Sequence, residues 1–173
     1  TFREYFDRVY IINLPERVDR RVEMEKELTR VGLMPEPGHV EFFPAVKVAD
    51  AAGFDNAGYH GCFRSHLEIY KKARAVGVKH LLVVEDDAAI SPRFEQDEHA
   101  IVEQLRSREW GIVLLGHEDL EPPADVPTRI VPLPCEVGLS HFYAVHASVL
   151  DRLIDFFESA MRRPSGRPDG GPM

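Results

Sequence analysis

Short apolar runs that alternate with helical patterns are the strongest constraint on the fold of this chain. Val9–Ile12 and Leu81–Val84 are continuously apolar and rich in β-branched residues, as in strands that are buried on both faces. Between them, the apolar spacing changes to three and four residues and predicts a helix over Val18–Val31, ended by Gly32. The stripe of that helix is formed by Val18, Val22, Met24, Leu28 and Val31. Strands alternating with helices predict an α/β fold with a mainly parallel sheet covered on both faces.

The remaining elements follow the same reasoning. Pro44 places the poorer strand Phe42–Val46 at an edge of the sheet, because proline cannot donate a ladder hydrogen bond. The other expected elements are a loop over Asp50–Gly61, a helix from about Cys62 to Val76, a helix opened by Ser91-Pro92, a buried strand at Ile112–Gly116, a strand at His141–Val145 and a helix over Ala147–Met161. We expect one domain over residues 1–163, with the Pro- and Gly-rich residues 164–173 as an exposed tail or a truncated loop.

Charge and composition exclude several classes of protein. The 173 residues suit one domain, and 21 Lys and Arg against 29 Asp and Glu disfavour nucleic acid as a partner. No apolar run approaches the roughly 20 residues of a membrane helix, so we expect a soluble chain. Cys62 and Cys135 are too few for a disulfide framework, which favours the cytoplasm. A single bridge between them, and peripheral contact with the inner face of a membrane, stay open.

Glu85, Asp86 and Asp87 directly follow the clearest buried strand. Ligands bind at the carboxyl ends of strands in open α/β sheets, and adjacent carboxylates repel one another unless a cation is present. Hard oxygen ligands suit Mn²⁺ or Mg²⁺. In an extended chain, Glu85 and Asp87 point the same way, so we predict that these two bind the metal and that Asp87 is catalytic. The alternative is a helix cap or a solvated surface, although Ser91 is the better cap.

Three ordered segments resemble glycosyltransferase family 25, the lipooligosaccharide-biosynthesis and collagen-galactosyltransferase-like enzymes. They are Val9–Arg21, Gly61–His66 and Leu82–Ala88; the later Gly138–Val145 is similar but less discriminating. The resemblance implies a GT-A-type, Rossmann-like, three-layer α/β/α domain with its metal-binding motif at Glu85-Asp86-Asp87. It also implies transfer of a hexose, galactose first, from a UDP-sugar to a saccharide or glycoconjugate acceptor, as in lipopolysaccharide biosynthesis.

Candidate donor-binding residues surround this motif. The set consists of Asn13, Leu14, Arg17, Asp19, Arg20, Ser65, His66, Glu85, Asp86 and His141. Arg suits bidentate phosphate contacts and Asp accepts from ribose hydroxyls, although Arg17 and Asp19 also suit a plain helix start. We expect Ser65 and His66 at a helix N-terminus near the diphosphate, with a buried core histidine as the equal alternative. His141 lines a sugar pocket or is a structural histidine.

The catalytic base and the activity itself have open alternatives. Asp169, within Pro168–Met173, is a candidate for the carboxylate base of an inverting transfer, and the loop His117–Asp119 is another acceptor-side candidate. A second hypothesis is a catalytically inactive nucleotide-sugar-binding or interaction domain of the same fold. A third is a Mg²⁺-dependent nucleotidyl or phosphoryl transferase, which is disfavoured because Asn13–Arg17 is not a Gly-rich phosphate loop.

Overall fold

The computed structural model describes residues 1–116, 128–132 and 141–163. Within these ranges the helices and strands alternate as expected. In chain order they are α1 (Phe2–Tyr5), β1 (Arg8–Asn13), α2 (Val18–Arg30), β2 (Val40–Pro44), α3 (Ala57–Ala75), β3 (His80–Glu85), α4 (Phe94–Arg106), β4 (Ile112–Gly116), β5 (Phe142–His146) and α5 (Ala147–Arg162).

The five described strands form one mixed sheet in the order β2-β1-β3-β5-β4. β1 pairs in parallel with β2 and β3, whereas β5 is antiparallel to both β3 and β4. Four strands therefore share a direction and β5 runs against them. The α/β class and the edge position of β2 are confirmed, and the reversal of β5 is the departure from a parallel sheet.

Both faces of the sheet are covered by helices. Val9 and Leu82 pack on one face with α1, α2 and α4, while Tyr10 and Leu81 pack on the other with α3 and α5. This alternation explains why β1 and β3 read as continuously apolar, since every second side chain enters a different core. The two central strands thereby hold their carboxyl ends side by side between the helical layers.

Several expected boundaries are wrong for local reasons. α3 begins at Ala57 rather than Cys62, because the Asn56 side chain caps it by accepting a hydrogen bond from the Tyr59 N–H at 3.0 Å. Ser91-Pro92 forms a turn before α4, in which the Phe94 N–H donates to the Ser91 carbonyl at 3.0 Å. The short α1 was not predicted; Thr1 opens it with a capping box.

Two predicted burial patterns are also corrected. In α2, Met24 and Leu28 are buried, but Val18 and Val22 are exposed. At 100° per residue these valines lie on a different face of the helix from the other two. Among the described strands, β4 lies at the edge of the sheet with β5 on one side, and Ile112 is 48% exposed, so the prediction of a buried strand there is corrected.

Candidate functional site

The carboxyl ends of β1 and β3 are joined by the side chain of Asn13. Its buried Nδ2 donates to Asp86 Oδ2 at 2.6 Å and to the Arg17 carbonyl at 3.2 Å. The Asp86 N–H donates in turn to the Ile12 carbonyl at 3.1 Å. The parallel pairing of β1 with β3 thus brings the predicted residues Asn13, Asp86 and Arg17 to one edge of the sheet.

The acidic motif lies on a turn rather than on extended chain. The Ala88 N–H donates to the Glu85 carbonyl at 3.1 Å, which closes a turn through Asp86 and Asp87. Side chains alternate in direction only along a strand, and the strand ends at Glu85. The extended-chain argument for placing Glu85 and Asp87 on the same side therefore does not apply. Burial raises the pKa of Asp86, and the charge of Asp87 acts in the same direction, whereas the hydrogen bond from Asn13 opposes both.

Two clefts meet at this turn. The α3 cleft, of about 420 Å³, lies between the ends of β1 and β3, the β2–α3 loop and the start of α3. Its lining includes Leu14, Arg17, Val46, Lys47, Cys62 and Glu85. The α2 cleft, of about 760 Å³, lies between α2 and the chain after β3, and Arg20 and Asp87 line it. Asp86 lines both, so Glu85 and Asp87 open toward different clefts on either side of it.

The two arginines predicted to bind the donor line different clefts, Arg17 the α3 cleft and Arg20 the α2 cleft. Arg17 is held beside the α3 cleft by Asp19, with Nη2 donating to Oδ2 at 2.8 Å and Nε donating to Oδ1 at 3.0 Å. This hydrogen bonding lowers the pKa of Asp19 to about 2 and raises the pKa of Arg17. Lys47, which the sequence did not single out, adds a second cation to this cleft and is paired with Glu16.

Ser65 is fully buried and does not face either cleft. Its hydroxyl accepts from the Val46 N–H at 2.8 Å and donates to the Gly61 carbonyl at 2.7 Å. A Cβ on Gly61 would lie 2.5 Å from the Val46 carbonyl oxygen. Because α3 begins eight residues earlier, at Ala57, the expected anion contact of Ser65 at a helix N-terminus is corrected to a contact that fixes the β2–α3 loop.

His66 is the end of a buried hydrogen-bonded chain. Its Nδ1 lies 2.6 Å from the Tyr143 hydroxyl, which lies 2.7 Å from the Tyr70 hydroxyl. Its Nε2 lies 3.5 Å from Glu85 Oε1. Burial raises the pKa of Tyr70 to about 12 and raises the pKa of Tyr143 well above its usual value, so both phenols keep their protons. His66 is therefore both a satisfied core histidine, through Nδ1, and a neighbour of the acidic motif, through Nε2.

Cys62 is a functional candidate that the sequence reasoning missed. It carries a free thiol and lies within the α3 cleft. Its sulfur, a ring nitrogen of His66 and a carboxylate oxygen of Glu85 all lie within 4.8 Å of one another. Burial, together with the charges of Glu85 and Asp87, raises the pKa of Cys62 to about 12. The signal in the sequence was the spacing of Cys62 and His66 by four residues, which places both on one helix face.

His141 lies at the same edge of the sheet, but it lines neither the α3 cleft nor the α2 cleft. Its carbonyl accepts from the Glu85 N–H at 2.8 Å, and it lines an apolar cleft of about 500 Å³ together with Phe2 and Phe94. The predictions for Asp169, for His117–Asp119 and for Cys135 concern positions outside the described residues, as does the prediction for residues 164–173. Among the described residues, no helix is long and apolar enough to cross a membrane.

Comparisons with known proteins bear on this site. The sequence model of the family "Glycosyltransferase family 25 (LPS biosynthesis protein)" matches residues 56–121 of this chain. This range includes α3 and the acidic turn but not β1. A "Glycosyltransferase 25 family member" of Drosophila pseudoobscura pseudoobscura is 27% identical over an alignment of 141 residues, and the match covers 69% of this chain and 22% of that protein. The protein of the same name from Aedes aegypti is 30% identical over an alignment of 136 residues, and the match covers 65% of this chain and 21% of that protein.

A human relative carries a different name. The "Inactive glycosyltransferase 25 family member 3" of Homo sapiens is 26% identical over 160 residues, covering 82% of this chain and 27% of that protein. The chain therefore spans between 21% and 27% of the length of these three relatives.

Proposed function

The chain is related to glycosyltransferase family 25, and on that premise we propose that it is the donor-binding part of a metal-dependent glycosyltransferase. The observation that carries the proposal is the position of Glu85-Asp86-Asp87, at the carboxyl end of a central strand and between two clefts. The proposed donor is a UDP-hexose, with galactose as the first candidate. The proposed acceptor is a saccharide or glycoconjugate, and the proposed fold family is GT-A.

The α3 cleft has the two chemistries that a nucleotide-sugar needs. Leu14 and Val46 supply apolar surface against which a base or a sugar ring packs. Arg17 and Lys47 supply positive charge for a diphosphate, and Arg17 is already oriented by Asp19. We assign the nucleotide to this cleft, since its floor is the carboxyl end of β1 beside β3.

The acidic turn fits a hard divalent ion. Carboxylate oxygens are the ligands that Mn²⁺ and Mg²⁺ prefer. The candidate ligands are Glu85, which is half-buried, and Asp87, which is exposed; because they line different clefts, the ion would lie at the turn where the two clefts meet. When bound, the ion neutralises the charge that develops on the diphosphate as the sugar leaves. Asp169 remains the candidate for the base that takes the proton of the acceptor hydroxyl.

The test is calorimetric titration of UDP, UDP-galactose and UDP-glucose with and without Mn²⁺. We expect Mn²⁺ to strengthen UDP binding and Asp87→Asn to remove that gain, since the ion loses one of two carboxylate ligands. Glu23→Gln is the matched control, because Glu23 is an exposed carboxylate that lines the same α2 cleft. Unchanged Mn²⁺-dependent binding in Asp87→Asn would contradict the metal assignment.

An inactive domain is the second candidate function. It is favoured by the names of the human, rat, mouse and bovine relatives, which describe them as inactive or probably inactive. The two functions differ in turnover, so release of UDP from UDP-galactose is the deciding measurement. Metal-dependent UDP release supports the enzyme, whereas binding without release supports the inactive domain.

A further inference from the structure

Three different metal-ligating side chains converge at the inner end of the α3 cleft. Cys62 and His66 project from one face of α3, and Glu85 meets them from the end of β3. We propose that Cys62, His66 and Glu85 form a binding site for a transition-metal ion of the Zn²⁺ class. The proposal rests on this cluster and does not require that the chain transfers a sugar, although it shares Glu85 with the Mn²⁺ or Mg²⁺ ion proposed above.

The separation of the three donors suits a small ion. Their ligand atoms lie within 4.8 Å of one another. Zinc bond lengths to sulfur, nitrogen and oxygen correspond to donor separations of about 3.3–3.8 Å in a tetrahedral site. His66 Nε2 and Glu85 Oε1, at 3.5 Å, already meet this separation, so the change required is an approach of the half-buried Cys62 sulfur by at most about 1 Å, through rotation of its side chain.

His66 is oriented as a metal-binding histidine is. It is 7% exposed, and its Nδ1 is held by the Tyr143 hydroxyl, itself bonded to Tyr70. When Nδ1 carries the proton and donates it to Tyr143, Nε2 presents a lone pair toward Glu85. Ligating histidines commonly have their second nitrogen fixed in this way, because the outer partner sets both the tautomer and the ring orientation.

The donor set differs from that of a hard-ion site. A sulfur, a nitrogen and an oxygen favour Zn²⁺ or Co²⁺ over Mn²⁺ or Mg²⁺. On binding, the ion displaces the thiol proton, which passes to solvent. Three protein ligands leave a fourth position for an oxygen ligand, and the cations Arg17 and Lys47 in the same cleft favour an anionic one, such as a phosphate oxygen.

Titration of the metal-free full chain with Co²⁺ tests the proposal. We expect binding of one ion, with the visible bands of tetrahedral cobalt, a near-ultraviolet thiolate-to-cobalt band and displacement by Zn²⁺. Cys62→Ser should remove the thiolate band, while His66→Gln and Glu85→Gln should each weaken binding at least tenfold. Cys135→Ser is the matched control and should keep the band, and circular dichroism of each variant establishes that it is folded.

The result that overturns the proposal is the absence of a thiolate band in the wild-type chain, or a band that is lost with Cys135 instead of Cys62. Asp87→Asn separates this proposal from the proposed function, since that variant should keep the cobalt spectrum while losing the Mn²⁺-dependent gain in UDP affinity. An absent cobalt band beside intact Mn²⁺-dependent UDP binding overturns this proposal alone. A retained cobalt band without UDP binding overturns only the proposed function.

Discussion

Replacing Tyr143 by Phe tests whether the buried chain of His66, Tyr143 and Tyr70 is bonded as the structure has it. The Tyr143 hydroxyl is the middle member, 2.6 Å from His66 Nδ1 and 2.7 Å from the Tyr70 hydroxyl. Its removal leaves both neighbours buried without this partner. A buried polar group that loses its partner costs about 1–3 kcal/mol, so we expect Tyr143→Phe to lower the free energy of unfolding by about 2–4 kcal/mol.

Tyr70→Phe removes the same oxygen from the same kind of ring, but from the end of the chain. Tyr143 keeps its bond to His66, so the expected loss is only about 1 kcal/mol. The double variant should lose less than the sum of the single losses, because Tyr70 is no longer present to be left unpaired. Tyr59→Phe, on the exposed side of α3, is the control and should change the free energy of unfolding by less than about 0.5 kcal/mol.

Urea denaturation followed by the fluorescence of Trp110 gives these free energies. Trp110 is the one tryptophan in the sequence and lies beside His80, at the opposite edge of the sheet, so it reports global unfolding rather than a local change. An equal or larger loss in Tyr70→Phe than in Tyr143→Phe would refute the bonding order. If the double variant loses as much free energy of unfolding as the two single variants together, the Tyr143 hydroxyl does not bond both His66 and Tyr70.

Three further predictions concern the loop, the acidic turn and Ser65. Gly61→Ala should destabilise the fold by about 2 kcal/mol or more and weaken UDP binding, because its Cβ would lie 2.5 Å from the Val46 carbonyl. Gly58→Ala is a milder counterpart in the same urea denaturation, because its Cβ would meet the end of the Asn56 side chain at 2.9 Å rather than backbone. Asp86→Asn should become more stable relative to wild type as pH rises above the ordinary carboxyl range. The pKa of Asp86 is higher in the folded than in the unfolded state, so its protonated form stabilises the fold below the unfolded pKa. The wild type loses this stabilisation as pH rises through the folded pKa, whereas the variant does not titrate there. If the difference in the free energy of unfolding between the two proteins does not change with pH, this reasoning is contradicted. Ser65→Ala should cost about 1–3 kcal/mol in urea denaturation, because the Val46 N–H loses its acceptor; a neutral effect would show that the loop relaxes to water.

The central strands and the acidic motif were predictable from the sequence, because their signals are local. A continuously apolar run is what a strand with both faces in a core requires, and β1 and β3 meet that condition. The start of α3 was missed because Asn56 and Gly58 are typical of loops, although Asn56 is also a good N-cap. That error of five residues placed Ser65 near a helix end that lies eight residues away.

The meeting of Cys62, His66 and Glu85 was not predictable, because it depends on how α3 packs on β3. Four-residue spacing places Cys62 and His66 on one face, but no local pattern says which strand end that face meets. The direction of β5 is hidden for a similar reason, since parallel and antiparallel central strands have the same apolar composition. The turn after Glu85 likewise depends on the Asn13–Asp86 contact across strands.

The reversal of β5 has a consequence for how such a domain can diversify. β4 ends at Gly116 and β5 begins at Phe142, and both meet at the edge of the sheet that carries Glu85. The chain therefore leaves and rejoins the sheet at the same edge that carries the acidic turn. Doubling the length of such a connection adds only about 0.6 kcal/mol of closure entropy. A connection of a different length can thus replace this one while the pairing of β4 with β5 is kept.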